Sequence, residues 1–85
     1  MIKYYEIHVL TNKNLSDIEK VMQENGLQFM KKLAHDGIVY SITRSGKLVD
    51  IMVELYKETD EGIEYQFKVS DFDNFNFINE FVKKL

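Results

Sequence analysis

The densest group of chemically active side chains lies in LYKETDEGIEYQFKVSDFDN, residues 55–74. This stretch holds six carboxylates but only two bases, Lys57 and Lys68. Clustered carboxylates can hold a cation, can transfer protons, or can steer a basic partner toward a surface. The same composition is also typical of a solvated hairpin tip followed by a helix cap. The stretch therefore leaves two interpretations open, solvated turns or an acidic surface that meets a partner.

A calcium site is the first chemistry to test. The run Asp71–Asn74 has the aspartate spacing with which a calcium loop begins. In such a loop the fifth position is a ligand, the sixth a glycine and the twelfth a glutamate. Here those positions hold Phe75, Asn76 and Val82. The pattern fails, and we predict no metal site.

Acid–base catalysis is the second chemistry to test. Glu6 and His8 are two residues apart in a predicted strand, so their side chains share a face and can exchange a proton. Ser41 or Thr43, in another predicted strand, is the candidate nucleophile on that face. No local nucleophile motif such as G-x-S-x-G accompanies them. We predict that the protein is not an enzyme, with a hydrolase as the minor alternative.

The remaining composition points to no cofactor. There is no cysteine, which excludes disulfides and thiolate zinc sites. Each of the four glycines fits a turn or a helix end, and none belongs to a phosphate-binding motif. We therefore predict no cofactor.

The charge is unevenly distributed along the chain. Residues 1–49 contain seven bases and five acids, whereas residues 50–85 contain four bases and nine acids. Nucleic-acid binding needs clustered Lys and Arg, so we expect a protein partner with a basic surface and no nucleic acid. Residues 1–13 do not read as a signal peptide, and no apolar run is long enough for a membrane span, so we expect a cytoplasmic protein. Ten lysines against one arginine suggest an AT-rich genome, such as that of a low-GC bacterium or its phage.

Hydrophobic periodicity predicts seven elements in one domain, residues 1–85. The first strand (3–10) is followed by a helix from Asn14 or Ser16 to Asn25-Gly26, with Ser16 and Glu19 in capping-box spacing. Four strands follow, with Leu33 and Leu55 among the inward residues and ETDEG (58–62) as the last hairpin loop. A helix capped by Ser70, Asp71 or Asp73 ends the chain, and if Asp73 is the cap, Phe72 precedes it as a hydrophobic staple.

These elements predict an α+β two-layer sandwich of order β-α-β-β-β-β-α. Its sheet is mainly antiparallel, and both helices lie on one face. The position of the first strand within the sheet stays open. If the helices cover the face of Tyr5, Ile7 and Val9, the alternating residues form the opposite face, which we call the outer face: Tyr4, Glu6, His8, Gln28, Met30, Lys32, Val39, Ser41, Thr43, Asp50, Met52, Glu54, Tyr56, Glu64, Gln66 and Lys68.

The outer face mixes aromatic and methionine side chains with charges, a composition found at protein interfaces. We predict a small protein-interaction module, such as a phage or mobile-element inhibitor that occludes a host protein. The predicted partner-binding residues are Tyr4, His8, Met52, Glu54, Tyr56, Glu58, Asp60, Glu61 and Glu64. The alternative is a homodimer or larger homo-oligomer that binds a small ligand, with Tyr4, His8, Met52 and Tyr56 lining the site.

Overall fold

Five antiparallel strands form one sheet in the computed structural model, which describes residues 3–85. Together with two helices they confirm the predicted α+β class and the antiparallel sheet. In chain order the elements are β1 (Tyr5–Thr11), α1 (Leu15–Glu24), β2 (Phe29–Leu33), β3 (Ile38–Arg44), β4 (Lys47–Thr59), β5 (Gly62–Val69) and α2 (Phe72–Val82). Among the described residues, no helix has the length and apolar character needed to cross a membrane.

The first strand lies at an edge of the sheet. The spatial order is β1-β5-β4-β3-β2, so β1 pairs with the last strand and β2 forms the opposite edge. The β1–β5 register places Ile7 opposite Phe67 and His8 opposite Gln66. The sequence left the position of β1 open. In the structure, β1 lies beside residues almost sixty positions away in the chain.

The core is one apolar cluster to which the sheet and both helices contribute. Helix α1 contributes Ile18 and Met22 to it, and helix α2 contributes Ile78 and Phe81. The sheet contributes the alternating residues of its three central strands, as periodicity predicts for a strand with one buried face. These residues are Tyr40, Ile42, Val49, Ile51, Val53, Tyr65, Phe67 and Val69. All twelve side chains belong to one apolar cluster.

Both helix caps are among the predicted residues, Asn14 for α1 and Asp71 for α2. The capping box of α1 joins Asn14 and Asp17, with the Asp17 amide donating to the Asn14 side chain over 2.9 Å. The predicted pair Ser16 and Glu19 is wrong, because a helix that begins at Leu15 already contains Ser16. Helix α2 is capped by Asp71, whose carboxylate accepts from the Asp73 amide at 2.8 Å.

Phe72 is the first residue of α2 rather than a staple that precedes its cap. Its ring is 56% exposed and lies edge-on to Tyr5, with the ring centroids 5.7 Å apart. It also stacks on Phe75 at 6.1 Å. The aromatic contact therefore joins the start of α2 to the edge strand β1.

A polar contact at the core boundary ties α1 to the sheet. The Tyr40 hydroxyl donates to the Glu19 carboxylate over 2.7 Å, and the Lys31 ammonium donates to the same oxygen over 3.0 Å. Burial, followed by the hydrogen bond to Glu19, raises the pKa of the Tyr40 phenol. Burial raises the pKa of Glu19, but the hydrogen bonds from Tyr40 and Lys31 outweigh it and leave that pKa below its ordinary value. The buried hydroxyl is thus matched by a charged acceptor.

Two residues predicted to face the core are largely exposed. Leu33 is 80% exposed and Leu55 is 51% exposed. Leu33 ends the short edge strand β2, which lacks a neighbour on one side. Leu55 adjoins a register irregularity in β4, between Leu55 and Lys57, where the pairing with β5 shifts by one residue. Strand periodicity gives the direction of a side chain but not whether another element covers it.

Candidate functional site

The outer face is arranged in cross-strand rows. One row runs through four strands, with Glu6 opposite Lys68, Lys68 opposite Met52, and Met52 opposite Val39. Directly opposed side chains on one face lie about 4.5–5.5 Å apart at their Cβ atoms. The row therefore places two charged residues of β1 and β5 beside two apolar residues of β4 and β3.

A depression of about 260 Å³ lies on this row. Its lining comes from five segments of the chain and combines an aromatic ring, a thioether, an aliphatic side chain, a carboxylate, an ammonium and a hydroxyl. The lining residues are Tyr4, Val39, Asp50, Met52, Lys68 and Ser70. Tyr4 is 56% exposed, so its ring is available to a bound group.

Two polar contacts fix the charged side chains of this depression. The Lys68 ammonium donates to the Glu54 carboxylate over 3.1 Å, an ion pair in which both side chains are at least three-quarters buried. The Ser41 hydroxyl donates to Asp50 Oδ1 over 2.6 Å. Within residues 3–85 this is the one hydrogen bond that the Asp50 carboxylate receives, which leaves Oδ2 accessible from the exposed side.

A second cluster surrounds Glu64. Its carboxylate lies 3.3 Å from His8 Nδ1 and 3.8 Å from the Lys57 ammonium. The His8 ring also contacts Tyr56 edge-on, with centroids 5.3 Å apart. His8 and Tyr4, like Tyr56 and Met52, are four residues apart on their strands, or about 13 Å. The four residues predicted to line one ligand site therefore divide between this cluster and the depression.

The hydrolase alternative required Glu6, His8 and a serine or threonine to act together. His8 makes its side-chain contact with Glu64 rather than with Glu6. Ser41 lies in β3, which β5 and β4 separate from β1, or about 14 Å at the usual strand spacing. Its hydroxyl donates to Asp50. This arrangement does not place a nucleophile beside His8.

The acidic hairpin tip is shorter than predicted. Strand β4 continues to Thr59 and β5 begins at Gly62, so the turn consists of Asp60 and Glu61 rather than the whole of 58–62. The Thr59 hydroxyl closes the turn, donating to the Gly62 carbonyl over 3.1 Å and accepting from the Glu61 amide over 3.2 Å. Both turn residues are exposed and follow the last paired residues of the sheet, Thr59 and Gly62.

Glu58, which was predicted to lie in the hairpin loop, is a residue of strand β4. It lies opposite Ile63, which packs against the core, because the irregularity at Leu55/Lys57 reverses the alternation of β4. Burial, followed by the negative charges of Glu58 and Asp17, raises the pKa of the Tyr65 phenol. Glu58 therefore lies on the core side of the sheet, opposite the outer face. Its role in partner binding stays a prediction.

The sequence prediction missed two exposed leucines of the outer face. Leu10 lies opposite Glu64 and is 52% exposed, and Leu48 lies opposite Thr43 and is 69% exposed. The signal was present, because the alternation that places His8 and Asp50 outward also places Leu10 and Leu48 outward. Together with Met30, at 67% exposure, they extend the apolar part of the outer face toward both of its ends.

Other kinds of site have less support in residues 3–85. In this part of the chain, no group of three or more acidic or imidazole side chains is arranged to hold a metal ion. Comparison of the sequence and structure with protein-family models, curated proteins and solved structures gave no match. The candidate functional site is therefore the outer face, and its support comes from its exposed and charged side chains.

Proposed function

We propose that this protein is a non-enzymatic interaction module that binds another protein through the outer face of its sheet. In this proposal both helices cover the opposite face, which is supported by the single apolar cluster that α1, α2 and the sheet share. The observation that carries the proposal is the exposure of large side chains on the outer face. Tyr4 and Tyr56 are 56% and 57% exposed, and Met30 is 67% exposed.

These side chains are of the types that supply binding energy. Tyrosine and methionine are enriched at interfaces, and a few aromatic residues commonly dominate the affinity. Met30 pairs with Ser41 in the β2–β3 ladder, Tyr4 directly precedes β1, and Tyr56 lies at the irregularity of β4 with its ring against His8. Tyr4 and Tyr56 lie at separate positions on the face and are the expected anchors.

The carboxylates on and near the outer face support a partner with a basic surface. Asp50 and Glu6 lie on the outer face, and Asp60 and Glu61 extend from its end at the β4–β5 turn. Such carboxylates accelerate association with a positively charged surface more than they add affinity. The proposed action is occlusion of that surface. The amino-acid composition, rich in lysine and poor in arginine, supports a low-GC bacterial or phage origin. With that origin, the proposed partner is a host protein of the cytoplasm.

The proposal is tested by affinity capture from a low-GC bacterial lysate. Immobilised protein is expected to retain a specific partner, and the double variant Tyr4→Ser/Tyr56→Ser is expected to lose it. Loss of one aromatic anchor commonly costs about 2 kcal/mol or more, roughly thirtyfold in affinity. The matched control, Lys20→Ser/Gln23→Ser, changes two exposed side chains of α1 and is expected to retain the partner.

Two results would contradict the proposal. The first is undiminished capture by the outer-face variant, and the second is loss of the partner by the α1 variant alone. Circular dichroism and urea unfolding of all three proteins separate lost binding from lost folding. Since the four changed residues are all exposed, stability is expected to stay within about 0.5 kcal/mol per substitution.

A further inference from the structure

We propose that the depression lined by Tyr4, Asp50 and Met52 is the binding site for an arginine side chain of the partner. This inference rests on the proposed function and specifies the chemistry of its anchoring contact. An arginine offers a flexible apolar stem, a planar cation and donors arranged as a fork. The depression offers a counterpart to each of these three features.

The stem has an apolar surface to lie on. Val39 and Met52 are directly opposite each other on β3 and β4, and both line the depression. Both are half-buried, so part of each side chain still faces solvent. An arginine stem buries its methylene groups against such a surface while its head reaches a polar partner.

The guanidinium has an aromatic ring and a carboxylate available to it. Tyr4 provides an exposed ring on which a planar cation stacks. Asp50 holds one oxygen in the hydrogen bond from Ser41, which orients the carboxylate and leaves Oδ2 for the incoming donor. Charge-assisted hydrogen bonds of this kind are about twice as strong as neutral ones.

The surrounding charge favours a cation despite the presence of Lys68. The Lys68 ammonium is engaged by Glu54 at 3.1 Å and lies opposite Glu6 in the β1–β5 register. With Asp50, three carboxylates therefore surround one ammonium. Lys32 lies one strand further out, opposite Val39 on the edge strand β2, where it borders the site without lining it. Counting Lys32, three carboxylates lie near two ammonium groups, and this excess of negative charge favours a guanidinium over an anionic ligand.

The test uses the tripeptide acetyl-Gly-Arg-Gly-amide, titrated into ¹⁵N-labelled protein and followed by amide chemical shifts. The expected result is a saturable shift confined to amides around Tyr4, Val39, Asp50 and Met52. The same peptide with citrulline in place of arginine is neutral and nearly isosteric. It is expected to cause no saturable shift at these amides.

Two variants test the assigned contacts. Asp50→Asn keeps an acceptor for Ser41 but removes the charge, and is expected to weaken peptide binding about tenfold or more. Tyr4→Leu keeps an apolar side chain but removes the ring, and is expected to weaken it severalfold. Glu24→Gln removes one negative charge at an exposed position of α1 and is expected to leave the affinity unchanged. The amide spectra report that each variant is folded.

Three results would overturn the arginine site: no saturable shift with the arginine peptide, equal shifts with the citrulline peptide, or equal weakening by Asp50→Asn and Glu24→Gln. If the peptide fails while capture still depends on Tyr4 and Tyr56, the arginine site alone is wrong. If capture does not depend on the outer face, the proposed function is wrong whatever the peptide does.

Discussion

Phe67→Ala is expected to lower the free energy of unfolding by about 3–5 kcal/mol, the usual cost of deleting a buried phenylalanine ring. Phe67 is 1% exposed and lies in β5 between Ile7 of β1 and Val53 of β4. A domain of 85 residues has a total stability of about 4–13 kcal/mol. The substitution is therefore expected to remove from about a quarter to all of the stability of the fold. Urea unfolding followed by circular dichroism measures the loss.

The control for this prediction removes the same side chain from an exposed position. Phe72 begins α2, is 56% exposed and contacts Tyr5 and Phe75. Phe72→Ala is expected to cost about 1 kcal/mol, since it loses aromatic contacts but leaves no closed cavity. Equal losses for the two variants would contradict the assignment of Phe67 to the centre of the core.

Glu19→Ala is expected to lower the free energy of unfolding by about 1–3 kcal/mol. The substitution leaves the Tyr40 hydroxyl, on a residue that is fully buried, without the acceptor that lies 2.7 Å away. It also removes the ion pair with Lys31 at 3.0 Å, which contributes less because the lysine side chain is 47% exposed. Glu24→Ala, at an exposed position of the same helix, is the control and is expected to have little effect.

A double-mutant cycle isolates the Tyr40–Glu19 contact. Tyr40→Phe removes the hydroxyl, so a following Glu19→Ala no longer strands a buried donor and is expected to cost less than it does alone. Urea unfolding of the four proteins gives the coupling free energy. Additive losses, with no coupling, would contradict the hydrogen bond between these two side chains.

The same pair predicts how stability depends on pH. Because the pKa of Glu19 is lower in the folded state than in the unfolded state, its contribution is complete above the ordinary glutamate pKa of about 4.3 and is lost as pH falls through the folded value. Because the pKa of Tyr40 is raised, its contribution is complete below the ordinary tyrosine pKa of about 10 and declines as pH rises beyond it. Glu19→Gln is expected to flatten the acid side of the profile, and Tyr40→Phe the alkaline side. Unchanged profiles would contradict these shifts.

The inward residues of β3 and of most of β4 could be predicted because their alternation is regular. Tyr40 and Ile42 pair with Ile51 and Val49 on the core face, as the period of two requires. The outer-face positions of Met52 and Glu54 follow from the same rule. Alternation predicts the face of the sheet toward which each side chain points, and it does so reliably only while the strand pairing stays in register.

The same rule no longer holds beyond Leu55, because one irregularity in β4 reverses the direction of the later residues Lys57 and Glu58. Nothing in KLVDIMVELYKET marks the position, since the shift between Leu55 and Lys57 arises from pairing with β5. Long-range pairing also decided two other features. It set β1 at an edge beside β5, and it grouped Tyr4, Val39 and Asp50, from separate parts of the chain, around one depression.

The outer face as a binding surface is tested most directly by methionine oxidation footprinting of the captured complex. Oxidation by hydrogen peroxide follows exposure, and the chain provides its own control. Met30 is 67% exposed and Met52 is half-buried on the outer face, whereas Met22 is 1% exposed in the core. Peptide mass spectrometry is expected to show that the partner protects Met30 and Met52, with Met22 unreactive in both states. Equal oxidation of Met30 and Met52 in the free protein and in the complex would contradict the proposal that the partner binds the outer face.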